Sequence, residues 1–169
     1  MEPIIENRYY GSQAMLTEFF RKYTVGPRPP VVAAEAVIFG CFVVRSCVQE
    51  IFPEMIPMLL FMGAVFTALY FIPDWFAWNS LRQAKKQYDG KIPETIVTLG
   101  DVIELREGMV QYTIEYQRII RVVHLKRSYV LMIGKRNGVM LAPDGFSKGT
   151  FEECKQFLRG KRPDLLIPE

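Results

Sequence analysis

Histidine and cysteine are scarce in this 169-residue chain, which has one histidine, His124, and three cysteines, Cys41, Cys47 and Cys154. A single histidine on an alternating run, with no cysteine or carboxylate at ligand spacing, fits no zinc framework and reads as structural. Cys41 and Cys47 fall in an apolar run and Cys154 far along the chain, so the set does not form a secreted disulfide scaffold. The glycines make neither a G-x-G-x-x-G nor a P-loop pattern, and Ser147-Lys148 has no triad partners. No catalytic, cofactor-binding or metal-ligating residue is therefore assigned. The net charge is only +3, and 13 of the 21 Lys and Arg residues are mixed with acids after residue 90, without an aromatic-interleaved basic stripe; nucleic acid is not an expected partner. The absence with the largest consequence is local: Met55 to Pro73 contains no charged residue.

That stretch belongs to the second of two adjacent apolar runs, Val31 to Ile51 and Met55 to Trp78. Each has about twenty residues, which as a helix rising 1.5 Å per residue matches a hydrocarbon core of about 30 Å. The pair reads as a membrane α-helical hairpin in contact with the lipid bilayer. Glu35 and Arg45 interrupt the first run. Both lie near its ends, where the side chains can reach toward an interface. Ten residues separate them, about 15 Å along one helix and roughly 80° around it, so they do not neutralise each other. Small residues four apart, Ala36 and Gly40 in the first run and Gly63, Ala64, Thr67 and Ala68 in the second, suit close helix packing, with each other or within a homo-oligomer or larger complex.

Positive charge sets the expected orientation. Arg8, Arg21, Lys22 and Arg28 precede the first run and Arg82, Lys85, Lys86 and Lys91 follow the second, whereas Gln49 to Ile56 holds Glu50 and Glu54 with no Lys or Arg. The positive-inside rule then puts both termini in the cytoplasm of a multi-pass plasma (inner) membrane protein, with a tight turn at Pro53 and Glu54 outside and Pro57 in the first turn of the returning helix. The hydrophilic stretch before the first run argues against a cleaved signal peptide. Trp75 and Trp78 match the aromatic belt of a headgroup boundary, and Arg82, Lys85 and Lys86 share one helix face beside the anionic leaflet. Upstream, Met15, Leu16, Phe19, Phe20 and Tyr23 predict a short amphipathic helix over Ser12 to Tyr23, lying on the membrane or on the soluble domain.

From Glu94 the period changes to alternation. Thr95 to Leu99, Val102 to Arg106, Val110 to Tyr116, Ile119 to Leu125, Tyr129 to Ile133 and Val139 to Leu141 read as short strands separated by turn signals. One signal, Asn137-Gly138, predicts a type I′ hairpin turn. Thr150 to Glu153 forms a capping box that opens a helix with Phe151, Cys154, Phe157 and Leu158 on one face and Gly160 at its end. The expected organisation is 1–30, an N-terminal cytoplasmic amphipathic segment; 31–78, the hairpin (31–51 and 55–78); 79–91, a basic juxtamembrane linker; and 92–169, a cytoplasmic α+β or mainly-β domain. That domain would be a small antiparallel sheet or barrel closed by a C-terminal helix.

Ile119-Ile120-Arg121-Val122, Tyr129-Val130-Leu131 and Val139-Met140-Leu141-Ala142-Pro143, leading to Phe146, Gly149 and Phe157, resemble the YcxB-like family of bacterial membrane proteins. The resemblance covers nearly the whole chain and implies a pleckstrin-homology-like C-terminal domain. Asp144 departs from the family pattern, which favours a basic residue after the proline. A phosphoinositide-type pocket would need Lys126-Arg127 and Lys135-Arg136 to converge, and consecutive turns of a meander lie at opposite strand ends. The pairs read instead as solvated tips. The expected function is a non-enzymatic, membrane-anchored binding or scaffold protein that presents this domain to a protein partner at the inner face. The alternative is an accessory subunit of a transporter or channel, contacting its complex through Glu35, Arg45 and the small-residue faces. An enzyme with an unrecognised site is the remote third.

Overall fold

A computed structural model describes residues 5–24, 29–48 and 52–167. The chain begins with a strand, β1 (Ile5–Tyr10), in which Ile5, Asn7 and Tyr9 point inward while Arg8 and Tyr10 face out. Ser12 caps the short helix α1 (Gln13–Phe19) by accepting a hydrogen bond from the Met15 N–H, and α1 widens into a π-helical turn over Phe20–Thr24. Two helices follow, α2 (Pro29–Val48) and α3 (Phe52–Gln87). Six strands come next: β2 (Glu94–Leu99), β3 (Ile103–Glu107), β4 (Val110–Ile114), β5 (Arg121–His124), β6 (Tyr129–Met132) and β7 (Gly138–Leu141). A 3₁₀ turn at Pro143–Gly145 leads to β8 (Phe146–Lys148), and helix α4 (Phe151–Lys161) completes the order.

These strands form two open antiparallel sheets, β4-β3-β2-β1-β8 and β5-β6-β7, in place of the single sheet or closed barrel expected from the sequence. The physical reason is β1. It pairs along all six residues with β2 and takes β8 on its other side, so a strand from before the two helices lies inside the larger sheet. One apolar core joins both sheets to α4 through Val97, Leu99, Leu131, Leu141, Cys154 and Leu158. A second cluster sets Val130 and Met132 against Phe19 and Tyr23, so β6 is covered on both faces. This explains why Tyr129-Val130-Leu131-Met132 is almost continuously apolar.

Asn137-Gly138 does not form the expected two-residue turn. The Asn137 carbonyl accepts from the N–H groups of Ile133 and Gly134, closing a longer loop, and Gly138 pairs with Met132 as the first residue of β7. Gly138 answers to space rather than to a positive φ, because a Cβ there would come 2.6 Å from Val130 Cγ1 and 2.9 Å from the Leu131 carbonyl oxygen. The capping box at Thr150 and Glu153 is present, with both reciprocal bonds made. Gly160 does not end α4; the helix continues to Lys161 and stops where Pro163 follows Arg162.

The helix α3 has 36 residues, about 54 Å at 1.5 Å per residue. Within it, Ile56–Gln87 is the one segment among the described residues that is long and apolar enough to cross a membrane. The comparable part of α2, Ala36–Arg45, is shorter, so length and composition show one such helix where the sequence suggested two. Pro53 and Glu54, expected in a turn, lie in the first turn of α3, and Pro57 is inside the helix; part of the expected turn, residues 49–51, lies outside the described residues. The two helices meet where Phe39 touches Phe66 edge-on at 6.3 Å. Their small residues are not spent on that contact, since a Cβ at Gly40 or Gly63 would meet nothing within 4 Å.

Candidate membrane-surface site

Past Pro73, α3 carries two different faces. Pro73 and Ala77 are buried, and Leu81 and Ala84 are half-buried at the following turns, giving an inward stripe at spacings of four and three. Against it packs α1, running antiparallel: Gly11 lies beside Leu81, Phe20 beside Phe76 at 6.1 Å, and the Arg21 guanidinium donates to the Asp74 carboxylate at 3.0 Å while lying 5.3 Å from the Tyr70 ring. The opposite face presents the residues singled out from the sequence. Trp75 and Trp78 are 56% and 46% exposed, Arg82 stacks its guanidinium 5.0 Å from the Trp78 ring, and Lys85 and Lys86 are exposed on the last turn. Aromatic and basic groups thus follow one another along one side of a single helix, in the order that a bilayer boundary and its anionic surface call for.

Glu35 lies in α2 with its side chain outside the described residues, and Arg45 is exposed in the last turn of the same helix. Lys126-Arg127 and Lys135-Arg136 occupy the two turns flanking β6, at opposite ends of that strand, and do not converge. The first of these turns is nonetheless more than a solvated tip, because the Glu18 carboxylate accepts hydrogen bonds from the backbone N–H groups of Lys126 and Arg127 at 2.5 and 3.2 Å. Sequence reasoning also missed the place of Tyr23, over whose ring lie both Lys22 Nζ at 5.7 Å and the Arg121 guanidinium at 5.5 Å. Nothing local signals that meeting, since 98 residues separate Tyr23 from Arg121.

Another surface feature is the outer edge of β4, which has no strand neighbour among the described residues. Glu107 and Val110 close a two-residue hairpin in which Gly108 takes φ +57°, and a Cβ on Gly108 would collide with the Tyr88 ring. Because hydrogen-bonded and non-bonded pairs alternate from that closing pair, Gln111 and Thr113 turn their backbone N–H and C=O groups outward. Tyr112 is exposed and borders a recess of about 310 Å³ whose other wall is Gln83, Gln87 and Tyr88.

The groups weighed for chemistry are otherwise engaged. His124 stacks on Tyr129 at 4.6 Å, and Tyr129 stacks in turn on Phe151 of α4. The Arg8 guanidinium, and then the Ser147 hydroxyl, donate to the Glu6 carboxylate and hold that carboxyl below its ordinary range. Among the described residues no three His, Cys, Asp or Glu side chains gather as a metal site would require. Burial pushes the Cys154 thiol up to about 12. In the folded chain it is expected to resist maleimide at pH 8 and to react on denaturation, which mass spectrometry of the labelled peptides would read. The unfolded thiol ionises first as pH climbs from 9, so this residue's contribution to stability is complete below pH 9 and is lost toward pH 12. Compared with family models, curated proteins and solved structures, the chain matches none.

Proposed function

We propose that this chain is a non-enzymatic, membrane-anchored binding or scaffold protein, with α2 and α3 seated in the plasma membrane as a hairpin and both termini in the cytoplasm. The domain is read as pleckstrin-homology-like, of the YcxB-like kind, and its ligand as a segment of a protein partner. The observation that carries the reading is the β4 edge. It is an uncharged strand, Val-Gln-Tyr-Thr-Ile, with outward backbone groups and exposed Tyr112 over a recess. An unpaired edge of this kind accepts an added strand, the backbone supplying affinity and the recess a seat for a side chain.

Two measurements test it. Alkaline washing is expected to leave the chain in the membrane fraction, and its release into the aqueous fraction contradicts the anchor. A photo-crosslinking residue at Tyr112 in native membranes is expected to capture a partner, and Thr113→Pro to reduce that capture at least fivefold. Proline at an outward edge position removes a donor without touching the β3–β4 ladder. If Thr113→Pro captures the same partner equally well, the edge is not the docking element.

A second reading, an accessory subunit of a transporter or channel, draws on Gly40 and Gly63. Their surroundings are open, so the small-residue faces of α2 and α3 remain available to other membrane helices. Capture from the helices that persists without the soluble domain would favour it.

A further inference from the structure

The contacts of α1 fix which strand of the smaller sheet lies nearest the apolar half of α3. Met15 and Leu16, in the first half of α1, share a recess of about 240 Å³ with Gly138 and Met140 of β7 and with Leu81 and Ala84 of α3. Phe19 then packs on Val130 and Met132 of β6, and Tyr23 meets Arg121 of β5. From Leu16 to Tyr23 the helical segment advances about 11 Å, and from β7 to β5 two strand spacings amount to about 10 Å. The segment therefore crosses the strands almost at right angles, stepping one strand every three or four residues. It also runs antiparallel to α3, reaching Asp74 and Tyr70 at Arg21. So β7 lies toward the Leu81 and Ala84 end of this part of α3, β6 nearer Phe76, and β5 nearest Asp74 and Tyr70, where the apolar stretch ends.

The margin of β5 there carries exposed apolar side chains. Ile120 is 59% exposed and Leu166, whose carbonyl accepts from the Val122 N–H on the open side of β5, is 80% exposed. Arg121 follows Ile120 directly, Lys22 lies over the same Tyr23 ring as Arg121, and Lys126 and Arg127 form the turn at the far end of β5; all four are on the surface. The nearby acids are engaged, Glu18 by the Lys126 and Arg127 N–H groups and Asp164 by Arg162 at 2.7 Å. Exposed apolar side chains and cations along one strand edge, at the level where the adjoining helix turns apolar, match the acyl and headgroup layers of an anionic leaflet.

We infer that the β5 edge is a lipid-docking surface, on which Ile120 and Leu166 enter the bilayer and the four basic side chains engage anionic headgroups of the membrane that α3 crosses. The inference rests on the anchored reading above. It gives the domain a fixed orientation, with β5 down on the lipid.

Hydrogen exchange of the full chain in lipid nanodiscs tests it. In discs containing phosphatidylglycerol, amides of residues 119–124 and 165–167 are expected to exchange on the order of tenfold more slowly than in phosphatidylcholine discs. About 0.5 M salt is expected to erase the difference, as is Lys126→Gln with Arg127→Gln, while β2 and β3 stay protected. Equal exchange in both lipids, with residues 56–73 protected, overturns the docking surface and leaves the anchor standing. Fast exchange at 56–73 inside the discs overturns both. Protection of β5 that rises with the number of chains per disc, whatever the lipid, assigns the edge to a second copy and overturns the lipid assignment.

Discussion

A fragment spanning residues 92–169 is expected to lack a cooperative unfolding transition and to give a poorly dispersed amide spectrum. The cause is the strand it leaves behind. In the larger sheet β1 stands between β2 and β8, so its loss strips β2 of a partner along six residues and removes the one strand neighbour that β8 has among the described residues. With β1 goes α1, and between them Ile5, Met15 and Phe19 leave the buried interior. At about 1.5–3 kcal/mol for each fully buried apolar side chain, the loss is about 5–9 kcal/mol before any hydrogen bond is considered. A domain's whole stability is about 5–15 kcal/mol. Adding a peptide of residues 5–24 in excess is expected to restore the dispersed spectrum. A sharp transition from 92–169 alone would show that β1 is dispensable and that the sheet can close without it.

The six strands after Glu94 were legible as short β-branched and aromatic runs set off by turn signals, with the alternation plainest in β2, where the inward positions are Thr95, Val97 and Leu99. β1 alternates too, but its central inward residue is Asn7, which breaks the apolar signal. Its partner strand lies on the far side of two helices, so no local turn announces the pairing. β8 has three residues, too few for a period to register. At Gly138 the glycine-rich turn signal was real but its cause was misread, since the residue serves close approach of β6 rather than a left-handed turn. The aromatic and basic face of α3 could be read from spacing alone because a helix fixes its own faces. The β5 edge could not, because Tyr23 reaches Arg121 only through the packing of α1 on the smaller sheet.

That packing also explains how one helix end orients a whole domain. α1 is held to α3 through Arg21 and Asp74 and to the smaller sheet through Glu18 and the Lys126-Arg127 turn, so a tilt of the domain would have to break contacts on both sides. The exposed ion pair contributes about 1 kcal/mol or less. Phe19, buried against Leu125 and Val130, carries more of the tie.

Asn7→Ala is expected to destabilise the folded domain by about 1–3 kcal/mol, a large effect for a polar substitution. Asn7 has no exposed surface, and its amide makes two bonds to one residue: Nδ2 donates to the Ala142 carbonyl at 2.8 Å and Oδ1 accepts from the Ala142 N–H at 3.0 Å. Ala142 stands where the chain leaves β7 for β8, so the amide stitches the smaller sheet to the larger at their crossing. Removing it leaves the Ala142 N–H without its acceptor, at a cost of about 1–3 kcal/mol, while the Ala142 carbonyl keeps the Gly145 N–H, which donates to it at 3.1 Å. Asn7→Asp separates the two bonds by pH. An ionised carboxylate still accepts from the Ala142 N–H but faces the Ala142 carbonyl with no proton to give, whereas the protonated acid can donate. The folded-state pKa of that aspartate is therefore raised above the unfolded value of about 3.9. The donor bond is then present below that value and lost as pH rises through the folded pKa. Denaturant titration of the full chain in detergent is expected to place Asn7→Asp nearer the unaltered protein at pH 4 than at pH 7, with Asn7→Ala equally impaired at both. An Asn7→Ala chain that unfolds within about 0.5 kcal/mol of the original, inside the usual range for surface substitutions, would show that the crossing is held by other contacts.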